Sequence, residues 1–414
     1  MPRHDVVVIG GGQAGLATSA LLSRRGIEHV VLERDRIASK WRHRWDSFTL
    51  VTPSWQIRLP RGEYTGDEPD GFLPRDTFVG HLEAYARATD APVREGVTAT
   101  EVVATDGGYR VATGEGPIDA RAVIVATGAW QRPVRPPLGN LAPDIRELHS
   151  HDYRNPGELP PGGVLVVGSG QSGAQIAEEL ARSGRDVVLA TSSAGRLPRR
   201  YRGEDMMLWA HRIGFYDRRA DALPSPKDRF AANAHLSGTN GGHTLNLHRF
   251  AHDGIRLAGH LTAIDGHHVT FADDLQQNLR AADKFAADLR QAIEAAIRDG
   301  RAPDTGSPDD LEDYAGLDGF DAPSLTTLDL QQAGISTVLW SSGFRWDFSW
   351  VRPAVLDDWG YPVQQRGVTA SPGLGFVGMH YLDTYKSGLL IGVGEDAAHV
   401  VDHIADHLGV ATPA

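Results

Sequence analysis

The chain has 414 residues, a formal net charge of -12, 41% hydrophobic residues and no cysteine. That length suits two to three packed units, the acidic balance argues against a generic nucleic-acid binder, and no run of 18 apolar residues is present to span a membrane. Without a thiol, disulfide exchange, structural disulfides and thiolate-bound zinc or iron–sulfur centres are excluded.

The chain enters a strand at Val6, which leaves no room for a signal peptide, so a cytoplasmic protein is expected. The strand VVVIG closes on Gly10-x-Gly12-x-x-Gly15, with Gln13 and Ala14 inside the fingerprint and a helical stretch behind it. The first glycine allows the tight turn, the second lets backbone approach a pyrophosphate, and the third lets helix and strand pack closely. A second strand, EHVVLERD, ends in Glu33-Arg34; a carboxylate at Glu33 can accept hydrogen bonds from ribose hydroxyls, as FAD or NAD requires. Residues 37–75 read as loop-rich and aromatic, with Trp41, Trp45, Phe48 and Trp55. The spacing predicts a helix over 75–90, a hairpin over 93–111 turning at Asp106-Gly107-Gly108, and a buried strand over 120–128 ending in the small-residue turn Ala126-Thr127-Gly128.

A Pro-rich linker, roughly 133–161, leads to the strand VLVVG and a second fingerprint, Gly168-Ser169-Gly170-Gln171-Ser172-Gly173. Where an acid should end the next strand there are Thr191 and Ser192, followed by Arg196, Arg199, Arg200 and Arg202. Hydroxyls and guanidinium groups suit a 2′-phosphate, although a charge run is also a common solvated face. FAD is therefore expected at the first fingerprint and NADPH at the second. Residues 273–300 read as an amphipathic helix with a Gly stop, 308–323 as an acidic surface loop, and 335–343 (ISTVLWSSG) as a strand and turn. The chain then returns through RWDFSWVRP, GLGFVG (373–378) and a final helix from about Asp396 to Leu408. The expected fold is α/β, with two Rossmann-like dinucleotide-binding domains. The NADPH domain, 156–344, is inserted into a discontinuous FAD domain formed by 1–155 and 345–414.

Trp41, Trp45, Trp55, Trp130, Trp340, Trp346 and Trp350 fall in segments expected to meet at the domain junction, where they could line a dry pocket. His248 and His252 sit at i, i+4, but with no carboxylate at telling spacing no metal is expected. No protein acid, base or nucleophile stands out, so the flavin is expected to carry the chemistry.

The order of GxGxxG, Lys40-Trp41-Arg42, VIVATG, His149-x-x-x-Tyr153, a second GxGxxG and a Ser-Ser-Gly turn resembles the class B flavin monooxygenases. The segments LVVGSGQSGAQIAEEL, GRLPRRYRG and SGLLIGVGEDAAHVVDHI are similar to a bacterial subfamily labelled as flavoproteins of potassium transport. Two departures stand out: the Phe and Gly positions of the family's linker motif are Pro143 and Ile145, and Val51 and Thr52 lie where flavin-containing monooxygenases carry an Asn. The resemblance implies that residues 380–388, with Tyr385 and Ser387, cross the isoalloxazine edge. It implies NADPH reduction of FAD, reaction with O₂ to a flavin C4a-(hydro)peroxide, and oxygen transfer to sulfur, nitrogen or a carbonyl carbon of a small substrate. Trp45, Thr52, Trp55, Trp346 and Tyr385 are the substrate-pocket candidates. The alternatives are an NADPH oxidase or flavin-dependent reductase or dehydrogenase without oxygen transfer, and a redox-sensing flavoprotein. A homodimer is compatible with all of them.

Overall fold

The computed structural model describes residues 3–230, 234–308 and 314–410. In the first unit, strand β1 (Arg3–Ile9) runs into helix α1 (Gln13–Arg24) and strand β2 (His29–Glu33). A short helix, α2 (Ser39–Arg42), precedes α3 (Arg75–Ala88). Strands β3 (Val93–Glu95), β4 (Ala99–Thr105), β5 (Gly108–Thr113) and β6 (Ile118–Val125) complete this half. β1 pairs in parallel with both β2 and β6, and β5 joins β6 antiparallel, bringing the hairpin with it. The inner strands are β-branched runs buried on both faces, as a sheet covered by helices requires.

The chain then leaves for the second unit. Strands β7 (Gly139–Leu141), β8 (Arg146–His149) and β9 (Gly163–Val167) lead into α4 (Gln171–Arg182) and β10 (Val187–Ala190). Helices α5 (Met206–Arg212) and α6 (Leu247–His252) follow, then β11 (Arg256–Ala258), β12 (Leu261–Gly266), β13 (His268–Phe271) and the long α7 (Leu275–Arg298). β14 (Thr327–Asp329) and β15 (Ile335–Trp340) end the excursion. Five strands form a parallel sheet in the order β8-β15-β9-β10-β11, and β7-β12-β13-β14 form a smaller sheet beside it. The return path adds β16 (Gln364–Gln365), β17 (Val368–Thr369) and β18 (Leu374–Phe376) to the first sheet, with β18 parallel to β6, and ends in α8 (Val393–Leu408). The second unit is thus inserted into the first. The outgoing and returning chains pair as they cross: Pro133 opposes Phe344 and Arg132 opposes Arg345.

Two expectations need correction here. Residues 139–149, read as linker and first domain, form β7 and β8 and hydrogen-bond into sheets of the second unit. Strands of three and four residues are too short to show a period. The acidic stretch 308–323 is not wholly a solvated loop. Its residues 309–313 lie outside the described residues, but Gly319 is buried and donates its N–H to His248 Nδ1 at 3.2 Å, while Phe320 packs on the same imidazole. Helix α7 follows the expected pattern, with Leu275, Leu279, Ala282, Ala286, Leu289, Ile293 and Ala296 buried along one face. α8 begins three residues before the expected Asp396, because Val393 is already buried in the core. Among the described residues no helix is long and apolar enough to cross a membrane.

Candidate functional site

The two fingerprints fold into near-copies of one another. Gly10 has φ +115°, and a Cβ there would lie 2.6 Å from Ala126 O; at Gly168 (φ +101°) it would lie 2.7 Å from Ser341 O. A Cβ on Gly15 would reach Gly10 O at 1.8 Å, and one on Gly173 would reach Gly168 O at the same distance. These four glycines are required by the protein's own packing. Gly12 and Gly170 are different: nothing lies within 4 Å of where their Cβ would be. Each caps a 12-residue helix from an extended conformation. The open space sits where backbone N–H groups and the positive end of the helix dipole favour a pyrophosphate.

Around the first cradle, Glu33 is buried and its carboxylate accepts from Gly11 N at 2.7 Å and Asp35 N at 3.0 Å. One bond to each oxygen leaves lone pairs for a ribose hydroxyl. Gln13 accepts from Trp41 Nε1 at 2.9 Å and donates to Gly388 O at 3.5 Å, which ties α1 to α2 and to the return loop. Ala14 lies against Gly378, where a Cβ would come within 2.4 Å of it. Gln131, which no sequence signal picks out, donates to Thr127 Oγ1 and Gly128 O and accepts from Asp347 N. Arg34 is exposed. Lys40 lies near Gln131 O at 3.5 Å, and burial, with Arg34 and Arg44 beside it, lowers its ammonium pKa to about 8.

The second cradle lacks the acid. Thr191 occupies the Glu33 position, since Gly10 N donates to Leu32 O and Gly168 N donates to Ala190 O. Thr191 is buried, donating to Ala258 O and accepting from Asn278 Nδ2. Ser169 Oγ accepts from Ser192 N at 2.9 Å, so a hydroxyl replaces the carboxylate that braces the first cradle. Ser172 is half-buried in the first turn of α4. The donor set at both sites therefore fits a dinucleotide, with no acid to repel a 2′-phosphate at the second.

Several expected site residues are placed elsewhere. Arg199 is fully buried, gripped by both oxygens of Asp205, donating to Val51 O, and stacked over Phe72 at 4.6 Å. It joins elements of the fold, its guanidinium committed to Asp205 and to the Val51 carbonyl. Arg200 donates to the carbonyls of Gly241 and Gly242, Arg196 pairs with Asp283, and Arg202 pairs with Glu294 and Asp304. The arginine run is thus neither a solvated face nor a free phosphate clamp. Gln171 uses its amide on the backbone of Leu236, donating to the carbonyl at 2.5 Å and accepting from the N–H at 3.1 Å.

The tryptophans do not gather in one pocket either. Trp41 and Trp45 join Phe48 and Phe78 in the first core, while Trp340 lies within the second unit. Trp346 and Trp350 pack on the far face of the first sheet, and Trp130 meets His380 edge-on. Trp55 and Tyr385 reach the junction in one group with His211, Phe215 and Tyr216 of the second unit, while Trp346 meets that unit separately, packed on Phe230 at 4.4 Å. Thr52 is half-buried beside the Val51 carbonyl that holds Arg199. His149 meets Gly343 O at 3.1 Å, Tyr153 donates to Glu179 of α4, and Ile145 sits in the second unit's core.

The return loop is clasped by the inserted unit. Ala220 N donates to Asp383 O at 2.8 Å and Tyr385 N to Arg218 O at 2.9 Å, while Arg219 and Lys386 form ion pairs with Asp383 and Asp217. Gln56, buried beneath, donates to Tyr216 OH. No sequence signal marked this clasp.

The comparisons agree with this architecture. A CzcO-like oxidoreductase of Geobacillus kaustophilus is 30% identical over 407 residues, covering 97% of this chain and 99% of the relative. The chain belongs to the CzcO-like oxidoreductases, a flavin monooxygenase-like family. The family model "Pyridine nucleotide-disulphide oxidoreductase" matches residues 7–204. The indole-3-pyruvate monooxygenase YUCCA1 of Oryza sativa is 34% identical over 200 residues, 47% of this chain and 49% of that protein. A flavin-containing monooxygenase structure from Stenotrophomonas maltophilia has the same fold, with a TM-score of 0.66 and 21% identity, covering 99% of this chain and all of that one. The protein is a flavin oxidoreductase with two dinucleotide-binding folds.

Proposed function

We propose that the protein is an NADPH-dependent flavin monooxygenase that transfers one atom of O₂ to sulfur, nitrogen or a carbonyl carbon of a small cytoplasmic substrate. The observation that carries this reading is the pair of matched cradles in a chain with no cysteine: electrons brought by NADPH have no thiol to leave through. Bound FAD supplies the two-electron carrier and the reactivity toward O₂.

The chain's own residues bind and shield. In this reading Gly12, Gln13 and Glu33 hold the FAD pyrophosphate and ribose, with Lys40 as the nearby cation. Gly170, Ser169 and Ser192 hold NADPH. The clasp between residues 216–220 and the return loop would keep water from the flavin edge, with Trp55 and Tyr385 grouped at the same junction. The likeness to indole-3-pyruvate monooxygenases over half the chain supports oxygen transfer.

The deciding experiment is NADPH turnover under ¹⁸O₂ with thioether, amine and ketone substrates, counting hydrogen peroxide alongside. Label in an organic product, with little peroxide, is the expected result. Stoichiometric peroxide with every substrate would make the protein an NADPH oxidase. Bound FAD without NADPH turnover would make it a redox sensor.

A further inference from the structure

Behind the return loop lies a buried acid that the reading above does not use. Asp396, in the first turn of α8, is 4% exposed. Ser387 Oγ accepts from the backbone N–H groups of Asp383 at 3.1 Å and Thr384 at 3.0 Å. Both acceptor positions of that hydroxyl are then filled, so its single proton is free to be donated, and it goes to Asp396. The other carboxyl oxygen, Oδ2, is buried with no hydrogen-bond partner. A buried polar atom left in that condition is costly and calls for a reason.

The groups facing Asp396 do not neutralise it. Asp383 and Glu395 carry its own sign, Tyr361 is a neutral phenol nearby, and Arg366 is the cation within range. Arg366 is shared with Asp383, which also pairs with Arg219 of the inserted unit, and Lys386 pairs with Glu395 and Asp217. Burial pushes the Asp396 carboxyl above its ordinary range, with Asp383 adding to the effect and the Ser387 bond opposing it. The same loop touches the first cradle, because Gly388 O accepts from Gln13 at the head of α1.

We propose that Asp396 is a proton reservoir for the first cradle, taking a proton from solvent when FAD bound there is reduced and releasing it on reoxidation. The hydride from NADPH delivers two electrons and leaves one added negative charge on the cofactor. The proton adds to Asp396 Oδ2, the oxygen without a partner, so the carboxylate becomes a neutral carboxyl and the added local charge is offset. Asp396 is a positioning residue acting through Ser387 and the loop. The inference rests on FAD occupying the first cradle.

The test uses the FAD-loaded protein. If the wild type holds no FAD, the functional reading fails and not this one in particular. With FAD bound, the midpoint potential is followed against pH in wild type, Asp396→Asn and Asp396→Glu. One extra proton per two electrons steepens the slope by about 30 mV per pH unit. Wild type and Asp396→Glu are expected to show a segment steeper by that amount, and Asp396→Asn to lack it. Equal slopes in wild type and Asp396→Asn overturn the proposal. Should Asp396→Asn fail to fold, the reduced-minus-oxidised infrared spectrum of the wild type decides. A protonated-carboxyl C=O band that shifts in Asp396→Glu supports the proposal, and the absence of such a band overturns it.

Discussion

The two cradles share their backbone and differ in their brace, and the difference explains how one architecture can hold two unlike nucleotides. In the first, a buried carboxylate, Glu33, receives the N–H of Gly11. In the second, Thr191 at that position turns inward to Ala258 and Asn278, and Ser169 receives the N–H of Ser192. Turn, helix and close glycine contacts are thus fixed by steric need, while the residue at the strand end would set the charge that a bound ribose meets. Cofactor choice can change at a few side chains with the fold untouched.

The largest effect expected is from filling the open glycine in either cradle. Gly12→Val and Gly170→Val place side chains where the protein itself has nothing within 4 Å. Both variants should fold with thermal midpoints little changed. The first should lose its bound FAD; the second should stay yellow but no longer be reduced by NADPH. Loss of folding in either would mean that these positions serve packing, as Gly15 and Gly173 do.

Next in size is Arg199→Ala. Removing one partner of a buried, bidentate ion pair leaves Asp205 uncompensated and should lower unfolding stability by about 3–5 kcal/mol in denaturant titration. Any loss of activity should be equal with NADPH and NADH. A selective loss with NADPH would return Arg199 to the 2′-phosphate.

A smaller and more pointed change swaps the braces. Ser169→Gly with Thr191→Glu rebuilds the first cradle's brace inside the second. A carboxylate beside the 2′-phosphate should repel it while accepting a ribose hydroxyl. The kcat/KM ratio should move toward NADH by roughly ten- to a hundredfold, the equivalent of one charge-assisted contact. An unchanged ratio would show that the adenosine end lies away from residue 191.

These contrasts also mark what could be read in the chain. The fingerprints were legible because each glycine answers a local steric problem, and the insertion was legible because a strand pattern at 373–378 follows the second unit. The arginine run was not legible in its role. Sequence displays the charges, but the partners that neutralise them, Asp205, Asp283 and Glu294, come from other elements. The tryptophans failed for the same reason, since segments expected to converge place Trp45, Trp340 and Trp350 in three separate cores. Asp396 lies in a segment that the resemblance marks without giving it a role; its burial, its unpartnered Oδ2 and the hydrogen count at Ser387 single it out.

The smallest effect expected concerns Lys40, the cation beside the first cradle. Its ammonium is held down to about 8 from an ordinary 10.5, first by burial and then by Arg34 and Arg44. Between those values the unfolded chain carries a proton that the folded chain lacks, so unfolding free energy should rise with pH across that window. Below about pH 8 both states are protonated, and the lysine is a constant cost to the fold. Lys40→Met should therefore be slightly more stable than wild type at neutral pH, with a flatter pH dependence above it. Bound FAD brings a pyrophosphate whose negative charges favour the ammonium, so loading the protein should narrow the window and take up protons near pH 8. The FAD-free and FAD-loaded proteins, each with and without Lys40, separate these terms by denaturant titration against pH. If FAD leaves the wild-type pH dependence untouched, Lys40 is not a phosphate contact, and the pyrophosphate in the first cradle is left to the backbone N–H groups and the helix dipole.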